Sequence, residues 1–164
     1  MATIQIRNAL SSDAKAICAI YNPYIANTTI SFEEAPVSIE EMEQRIRDNT
    51  RSLPWLLAYD GDDILGYAYA TAWRARSAYK SSVETTVYIS DQHARKGLGS
   101  LLYRELIQQL RERQIHCAIG GIAQPNIAST ALHQALGFEK VAEFKEVGYK
   151  FDRWINVAYW ELLL

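Results

Sequence analysis

The sequence predicts a mixed α/β domain with a parallel β-α-β crossover in its second half. Residues 83–89 alternate β-branched and polar side chains, which is the period of a strand. Four leucines then share one stripe of a helix expected over residues 99–113, and the apolar run at 117–123 is the next strand. Because these elements follow one another directly, the two strands are expected to be parallel. The leucines of the stripe are Leu101, Leu102, Leu106 and Leu110.

The chain before the crossover carries a short strand, two helices and a hairpin. Polar capping residues open both helices, and an Asp-Gly turn closes the hairpin. The first helix is expected to end or bend at Pro23, because the residue before a proline disfavours the helical conformation. These predicted elements are a strand around residues 4–6, helices from residues 14 and 39, and strands over 55–59 and 64–73.

The chain after the crossover carries one more helix and two strands. The helix spans residues 128–136, and Gly137 is expected to close it in the left-handed conformation. Strands are expected over 138–144 and 156–163. The segment between them, EVGYKFDRW at residues 146–154, is predicted to be an aromatic and basic loop.

Composition limits the class of protein. The 164 residues are 49% hydrophobic and 22% charged, which is ordinary for one globular domain over residues 1–164. The net charge of −2 argues against a nucleic-acid partner. No signal peptide or membrane span is visible, and Cys18 and Cys117 have no metal-ligand spacing. We therefore expect a cytoplasmic protein with no metal and no membrane partner.

A polar loop with two glycines, residues 94–100, joins the predicted central strand to its helix. Gly97 and Gly99 permit backbone conformations that a side chain would block. The amides that open the helix lack intrahelical partners, and Arg95 and Lys96 add positive charge. The loop lacks both the dinucleotide fingerprint and the P-loop ending. It predicts a phosphate or pyrophosphate site, with a tight turn that binds nothing as the alternative.

The connector before the central strand, residues 73–80, carries three cations. Arg74, Arg76 and Lys80 lie beside Trp73 and Tyr79. Guanidinium groups bind carboxylate and phosphinate oxygens in a bidentate manner, so the connector is a candidate pocket for an anionic ligand. A solvated connector is the alternative.

A second signature follows the crossover, with Asn126, Ser129, Gly137 and Phe138 in the pattern N-x-x-S-x-x-x-x-x-x-x-G-F. Together with the basic G-x-G loop it resembles the GNAT N-acetyltransferases. The segments WRARSAYKSSVETTVYIS, ARKGLGSLLY, PNIASTALHQALGF and VGYKFDRWINVAYWEL are similar to the phosphinothricin / methionine sulfoximine acetyltransferase branch, and the similarity covers essentially the whole chain. The resemblance implies a GNAT fold, in which a mostly antiparallel twisted sheet contains a parallel β-α-β core that binds acetyl-CoA.

The resemblance also implies an activity. It is acetyl transfer from acetyl-CoA to the α-amine of phosphinothricin, methionine sulfoximine or methionine sulfone, by direct attack on the thioester. The enzyme would be a homodimer, and Tyr159 and Trp160 are candidate interface residues. Alternatives are another amine, such as a polyamine, an aminoglycoside or a protein N-terminus, or a non-catalytic acyl-CoA-binding module. The Arg74-Ala75-Arg76 loop argues against cationic amines, and Glu84 argues against the module.

Two residues are candidates for proton transfer. Glu84 opens the central strand on the face opposite Val87 and Ile89, where a half-buried carboxylate could accept the proton of the amine. The alternative is that Glu84 only pairs with a cation of the 73–80 connector. His133 stands where many relatives have a tyrosine that protonates the thiolate, so it is a candidate acid or substrate ligand. An ordinary helical histidine is the alternative.

The resemblance assigns the remaining site residues. Ala94 departs from the family, which usually has Gln or Arg there, and this bears on the strength of coenzyme binding. Residues expected to hold acetyl-CoA are Val87, Tyr88, Ile89, Arg95, Lys96, Gly97, Leu98, Gly99, Ser100, Asn126 and Ser129. Residues expected to contact the substrate are Phe32, Arg74, Ala75, Arg76, Tyr79, Glu84, Thr85 and Thr86, with Tyr149, Lys150 and Trp154 closing the pocket.

Overall fold

The computed structural model describes residues 4–94 and 97–164. Within them the chain forms one seven-stranded sheet flanked by four α-helices. The elements are β1 (Gln5–Asn8), α1 (Ala14–Asn27), α2 (Ile39–Asn49), β2 (Trp55–Asp60), β3 (Asp63–Ala72), β4 (Ser82–Ile89), α3 (Leu98–Glu112), β5 (Cys117–Ala123), α4 (Ile127–Ala135), β6 (Glu139–Lys150) and β7 (Arg153–Leu163). None of the described helices is long and apolar enough to cross a membrane.

The strand order is β1-β2-β3-β4-β5-β7-β6, and β4 with β5 is the one parallel pair among the described strands. The helix between them, α3, makes the crossover that the sequence predicts. The predicted fold class, a mostly antiparallel sheet with a parallel β-α-β core, is therefore confirmed.

Helices cover both faces of the sheet. On one face, Leu102, Leu106 and Leu110 of α3 are completely buried together with Val83 of β4. Leu101, which the predicted stripe included, is 41% exposed because it lies one position off the buried face. On the other face, α1 and α2 pack over the even-numbered side chains of β4, including Tyr88. This second face carries the candidate site.

Helix α1 continues past Pro23 to Asn27, so it does not end at that proline, and the alternative of a bend there stays a prediction. Proline removes the hydrogen bond to the carbonyl of Ala19, which lies four residues earlier. Both Ala19 and Pro23 are exposed, so water can solvate that carbonyl. Ile25, which is 1% exposed, anchors the last turn in the core.

The predicted loop at residues 146–154 is instead the end of a long hairpin. Strands β6 and β7 pair as far as Lys150 with Arg153, and Phe151 and Asp152 form the turn. Their φ angles of 52° and 55° are those of a type I′ turn. The usual signal for that turn is Asn-Gly or Asp-Gly, which is absent from residues 150–153, so the loop prediction failed.

The hairpin end is fastened to the loop that follows α1. Lys150 is 4% exposed, and its Nζ donates hydrogen bonds to the carbonyl oxygens of Ile25 and Ser31, both at 2.7 Å. The ring of Phe32 packs against Gly148 of β6. These contacts fix loop 28–36 beside the sheet face that carries β4.

Candidate active site

The site is built around a gap between the parallel strands β4 and β5. Their ladder contains three residue pairs and ends where Glu84 lies opposite Ile119. Strand β4 continues to Ile89, while β5 turns to its other neighbour, β7. Along residues 85–89, β4 is therefore paired on the β3 side but not on the β5 side.

The register with β3 shows which backbone groups face this gap. At the two ends of the ladder, the Trp73 N–H donates to the Ser82 carbonyl and the Ser90 N–H donates to the Leu65 carbonyl. Antiparallel strands bond through alternate residues, so the even-numbered residues of β4 are bonded to β3. The N–H and C=O groups of Val87 and Ile89 consequently point into the gap, whereas those of Tyr88 belong to the ladder.

A cavity of about 590 Å³ lies on the α1 side of the gap. Phe32, Glu84 and Thr86, three of the predicted substrate contacts, lie in its wall. Gly121 of β5 forms the wall opposite Glu84. A Cβ atom at residue 121 would lie 3.2 Å from the Glu84 Oε1 and 3.2 Å from the Tyr159 Cε1, so the missing side chain makes room for the carboxylate.

The pKa of Glu84 is shifted in the direction that suits a general base. Burial raises the pKa of Glu84 above its ordinary value of 4.5, and the nearby positive charge of Arg74 partly opposes this. None of the salt bridges among the described residues involves Glu84, so the alternative of a simple ion pair has no support. A carboxylate with a raised pKa at a cavity wall accepts a proton more readily than an exposed carboxylate does.

A second carboxylate in the same cavity, Glu33, was not found from the sequence. Its Oε2 accepts a hydrogen bond from the Tyr21 hydroxyl at 2.5 Å, and its Oε1 accepts one from Arg45 Nη2 at 2.5 Å. The Arg45 guanidinium lowers the pKa of Glu33, so this carboxylate stays ionised. Two consecutive glutamates follow Phe32, and they were the available sequence signal for a carboxylate at the site. The residues that bind Glu33 lie on α1 and α2, which the sequence does not place beside it.

A groove of about 270 Å³ lies on the other side of the gap. Val87, Ile89, Ala94, Asn126 and Ser129 line it, and its wall shares Tyr88 with the larger cavity. The Asn126 Oδ1 accepts the Ser129 N–H at 3.0 Å, so this pair also caps α4.

Helix α3 begins at the same end of the gap. Gly97 is its N-cap with φ of 75°, a conformation that favours glycine. Leu98 is 2% exposed and its side chain belongs to the core, so only its backbone is available to a ligand. Gly99 and Ser100 lie in the first turn. The predicted phosphate contacts Arg95 and Lys96 lie outside the described residues.

The cationic connector forms a separate cavity of about 350 Å³, lined by Arg74, Ala75, Arg76, Tyr79 and Trp73. The Arg74 guanidinium stacks 5.1 Å above the Trp73 ring. Trp73 meets Tyr159 edge to face at 5.7 Å, and Tyr159 lines the cavity of Glu84. Arg74 therefore lies beside the Glu84 cavity, and the rings of Trp73 and Tyr159 lie between them.

Thr85 and His133 lie on the α3 side, away from the Glu84 cavity. Thr85 is 4% exposed and His133 is 3% exposed. The Tyr103 hydroxyl lies between them, 3.2 Å from the Thr85 Oγ1 and 3.2 Å from the His133 Nε2. The His133 Nδ1 lies 2.8 Å from the carbonyl oxygen of Ser129, which requires a proton on Nδ1. The ring therefore presents an Nε2 lone pair to Tyr103, and all three side chains border a narrow cavity of about 60 Å³ in the gap.

We expect the protein to lose stability as the pH falls below 6.5, the ordinary pKa of histidine, because burial lowers the pKa of His133. The unfolded chain takes up a proton near pH 6.5 that the folded protein resists, so stability is complete above that pH and falls as the pH drops through the lowered pKa. Urea unfolding from about pH 5 to about pH 8 measures this, across the range in which histidine titrates. The change with pH should shrink in His133→Gln but not in His116→Gln, and equal changes in both variants would contradict the assignment.

The profile of the acetyltransferase (GNAT) domain matches residues 6–158 of this chain. The chain therefore belongs to the GNAT acetyltransferase family, and its fold is the GNAT fold.

Relatives within the family are N-acetyltransferases. The chain is 40% identical to a phosphinothricin N-acetyltransferase of Streptomyces coelicolor, over 98% of this chain and 96% of that protein. It is 36% identical to the L-methionine sulfoximine/L-methionine sulfone acetyltransferase of Pseudomonas aeruginosa, over 97% and 94% of the two chains. The structure matches that of a phosphinothricin acetyltransferase from Sinorhizobium meliloti in complex with acetyl-CoA, with a TM-score of 0.95, 35% identity, and coverage of 99% and 89%.

Proposed function

We propose that this protein transfers the acetyl group of acetyl-CoA to the α-amine of phosphinothricin, methionine sulfoximine or methionine sulfone. The observation that carries the proposal is the position of Glu84. Its carboxylate lies in the wall of a cavity of about 590 Å³ where β4 separates from β5. A base at that point can deprotonate an amine held in the cavity while the open strand edge holds a thioester.

The residues along the gap fit acetyl-CoA, which supplies an acetyl group already activated as a thioester. Val87 and Ile89 offer backbone donors and acceptors to an extended arm that contains amides. The start of α3, with Gly97 as its N-cap, offers unpaired amides to the pyrophosphate. Asn126 and Ser129 line the groove between them.

Two groups of this chain would act on the reacting atoms. Glu84 accepts the proton of the substrate ammonium, directly or through one water molecule. The Val87 N–H donates to the thioester oxygen as negative charge develops there, which is worth roughly 3 kcal/mol for a well-placed donor. The acid role of His133 stays a prediction. Since Nδ1 donates to Ser129, this role would require a second proton on Nε2, which would pass to the Tyr103 oxygen while Tyr103 gives its own hydroxyl proton to the thiolate.

The substrate class rests on the charges around the cavity. The connector with Arg74 and Arg76 supplies cations for a carboxylate, phosphinate or sulfone oxygen. A cationic amine is the second candidate substrate, because Glu33 and Glu84 both line the Glu84 cavity of about 590 Å³. We favour the amino acids, since Arg45 already neutralises Glu33.

The cytoplasmic location and the homodimer stay predictions. Resistance to the herbicide phosphinothricin would follow from its acetylation and is part of the proposal. The expected interface residues do not support the dimer, because Trp160 is 6% exposed and Tyr159 lines the Glu84 cavity. Exposed apolar side chains of the β6–β7 hairpin are better candidates, and they are Val141, Phe144, Tyr149, Phe151 and Trp154.

The test is thiol release from acetyl-CoA with a panel of amines. The panel contains phosphinothricin, methionine sulfoximine, methionine sulfone, glutamate, a polyamine and an aminoglycoside. We expect turnover with the first three. Turnover confined to the polyamine or aminoglycoside would overturn the substrate class, and no turnover with any amine despite acetyl-CoA binding would favour a binding module.

A further inference from the structure

Tyr24 of α1 holds one of the backbone groups that face the gap. Its hydroxyl donates a hydrogen bond of 2.6 Å to the carbonyl oxygen of Ile89, which lies 65 residues further along the chain. The ring of Tyr24 packs against that of Tyr88, with centroids 5.0 Å apart. A helix side chain therefore supplies the partner that β5 would give Ile89 in an unbroken sheet.

Ile89, whose carbonyl oxygen this hydroxyl reaches, lines the groove beside the gap. Tyr24 lines this groove together with Val87, Ile89, Asn126 and Ser129. A hydroxyl has one hydrogen and two lone pairs. Since the hydrogen is directed to Ile89, both lone pairs remain for a donor in the groove, and burial raises the pKa of Tyr24 so that the hydroxyl keeps its proton.

We propose that Tyr24 is a coenzyme-binding residue, whose hydroxyl accepts a hydrogen bond from an amide N–H of the pantetheine arm while it donates to Ile89. This rests on the proposed function, because it takes acyl-CoA as the ligand of the groove. The arm carries amides, and the open edge of β4 offers them only the groups of residues 85–89. Tyr24 extends that edge from the side of α1.

A hydrogen-bond chain of this kind is stronger than its separate links, because each hydroxyl bond polarises the next. Removing the hydroxyl deletes the acceptor for the arm and leaves the Ile89 carbonyl without its donor. The loss of one such bond corresponds to a roughly threefold to tenfold weaker complex. The nucleotide end of the coenzyme would not be affected, because it binds at the start of α3.

The experiment compares the wild type with Tyr24→Phe by isothermal titration. Three ligands are used: acetyl-CoA, acetyl-pantetheine, which is the arm without the nucleotide, and 3′,5′-ADP, which is the nucleotide without the arm. We expect Tyr24→Phe to weaken acetyl-CoA and acetyl-pantetheine by the same factor and to leave 3′,5′-ADP unchanged. Tyr59→Phe is the matched control, because the Tyr59 hydroxyl bonds to Gln5 away from the groove and should change none of the three.

The outcomes separate this inference from the proposed function. If the wild type does not bind acetyl-CoA, both are overturned. If the wild type binds it and Tyr24→Phe binds it equally well or more tightly, only the role of Tyr24 is overturned. Equal weakening of all three ligands would assign Tyr24 a general structural role and overturn the specific contact. In steady-state assays the expected pattern is a raised KM for acetyl-CoA with an unchanged KM for the amino acid.

Discussion

Replacing Glu84 with glutamine is expected to lower kcat/KM for the amino-acid substrate by about 10²- to 10⁴-fold, the usual contribution of a general base. Glutamine keeps the size of the side chain and removes only its ability to accept the proton. The dissociation constant of acetyl-CoA should not change, because the groups that we propose for the coenzyme lie along residues 87–89 and at the start of α3. Thiol release and calorimetric titration measure the two quantities separately.

The pH dependence gives a second test of Glu84. Because burial raises the pKa of Glu84, the wild-type rate should fall as the pH drops through that raised pKa, and the variant should lack this limb. A carboxyl whose folded pKa is raised also destabilises the protein as the pH rises above its ordinary value of 4.5. Glu84→Gln should therefore be more stable than the wild type at neutral pH. A stable variant with undiminished turnover would contradict the base assignment, and Glu34→Gln, an exposed carboxylate on loop 28–36, is the control.

Replacing Gly121 with valine should cost about 10²-fold in kcat, the effect of displacing a catalytic group by about 1 Å. A Cβ at this position meets the Glu84 Oε1 and the Tyr159 ring, each at 3.2 Å, and the additional methyl groups of valine must displace one of them. Strand propensity favours valine in β5, so the variant should fold. Steady-state kinetics at saturating acetyl-CoA measure the effect.

A graded series makes this prediction specific. Gly121→Ala adds only the Cβ, which the neighbouring atoms can accept by moving a few tenths of an ångström. We therefore expect its kcat to lie between those of the wild type and the valine variant. If valine lowers kcat no more than alanine does, the space beside Glu84 is not what Gly121 provides.

Local patterns in the sequence were sufficient for most of the fold. The alternation along β4 predicted that Glu84 and Val87 lie on opposite faces, and the capping box at Ser38 predicted the start of α2, where Ser38 accepts the Glu41 N–H at 3.1 Å. The hairpin of β6 and β7 was missed because its turn uses positive φ at Phe151 and Asp152 without glycine. Whether Pro23 ends or only bends α1 could not be decided from the sequence, because the effect of a proline depends on solvent exposure, which no local pattern gives.

The site was predictable where its residues are close in sequence. Glu84 and Thr86 share a face because they are two residues apart in one strand. The set of Glu33, Tyr21 and Arg45 was not predictable, since those residues are 12 positions apart in each pair that bonds. Thr85 was expected in the substrate pocket, but the alternation that exposes Glu84 turns the Thr85 side chain towards α3.

The hydrogen bonds from Lys150 to Ile25 and Ser31 bear on the order in which parts of the protein fold during synthesis. These contacts span 125 and 119 residues, so they join the beginning of the chain to its final hairpin. Contacts between distant residues carry the largest loop-closure entropy and form late. On the ribosome, α1 and loop 28–36 emerge long before the hairpin that holds Phe32 in the cavity wall. The proposed substrate cavity is therefore completed only after the hairpin has been synthesised, whereas the crossover beside the proposed coenzyme groove can fold earlier.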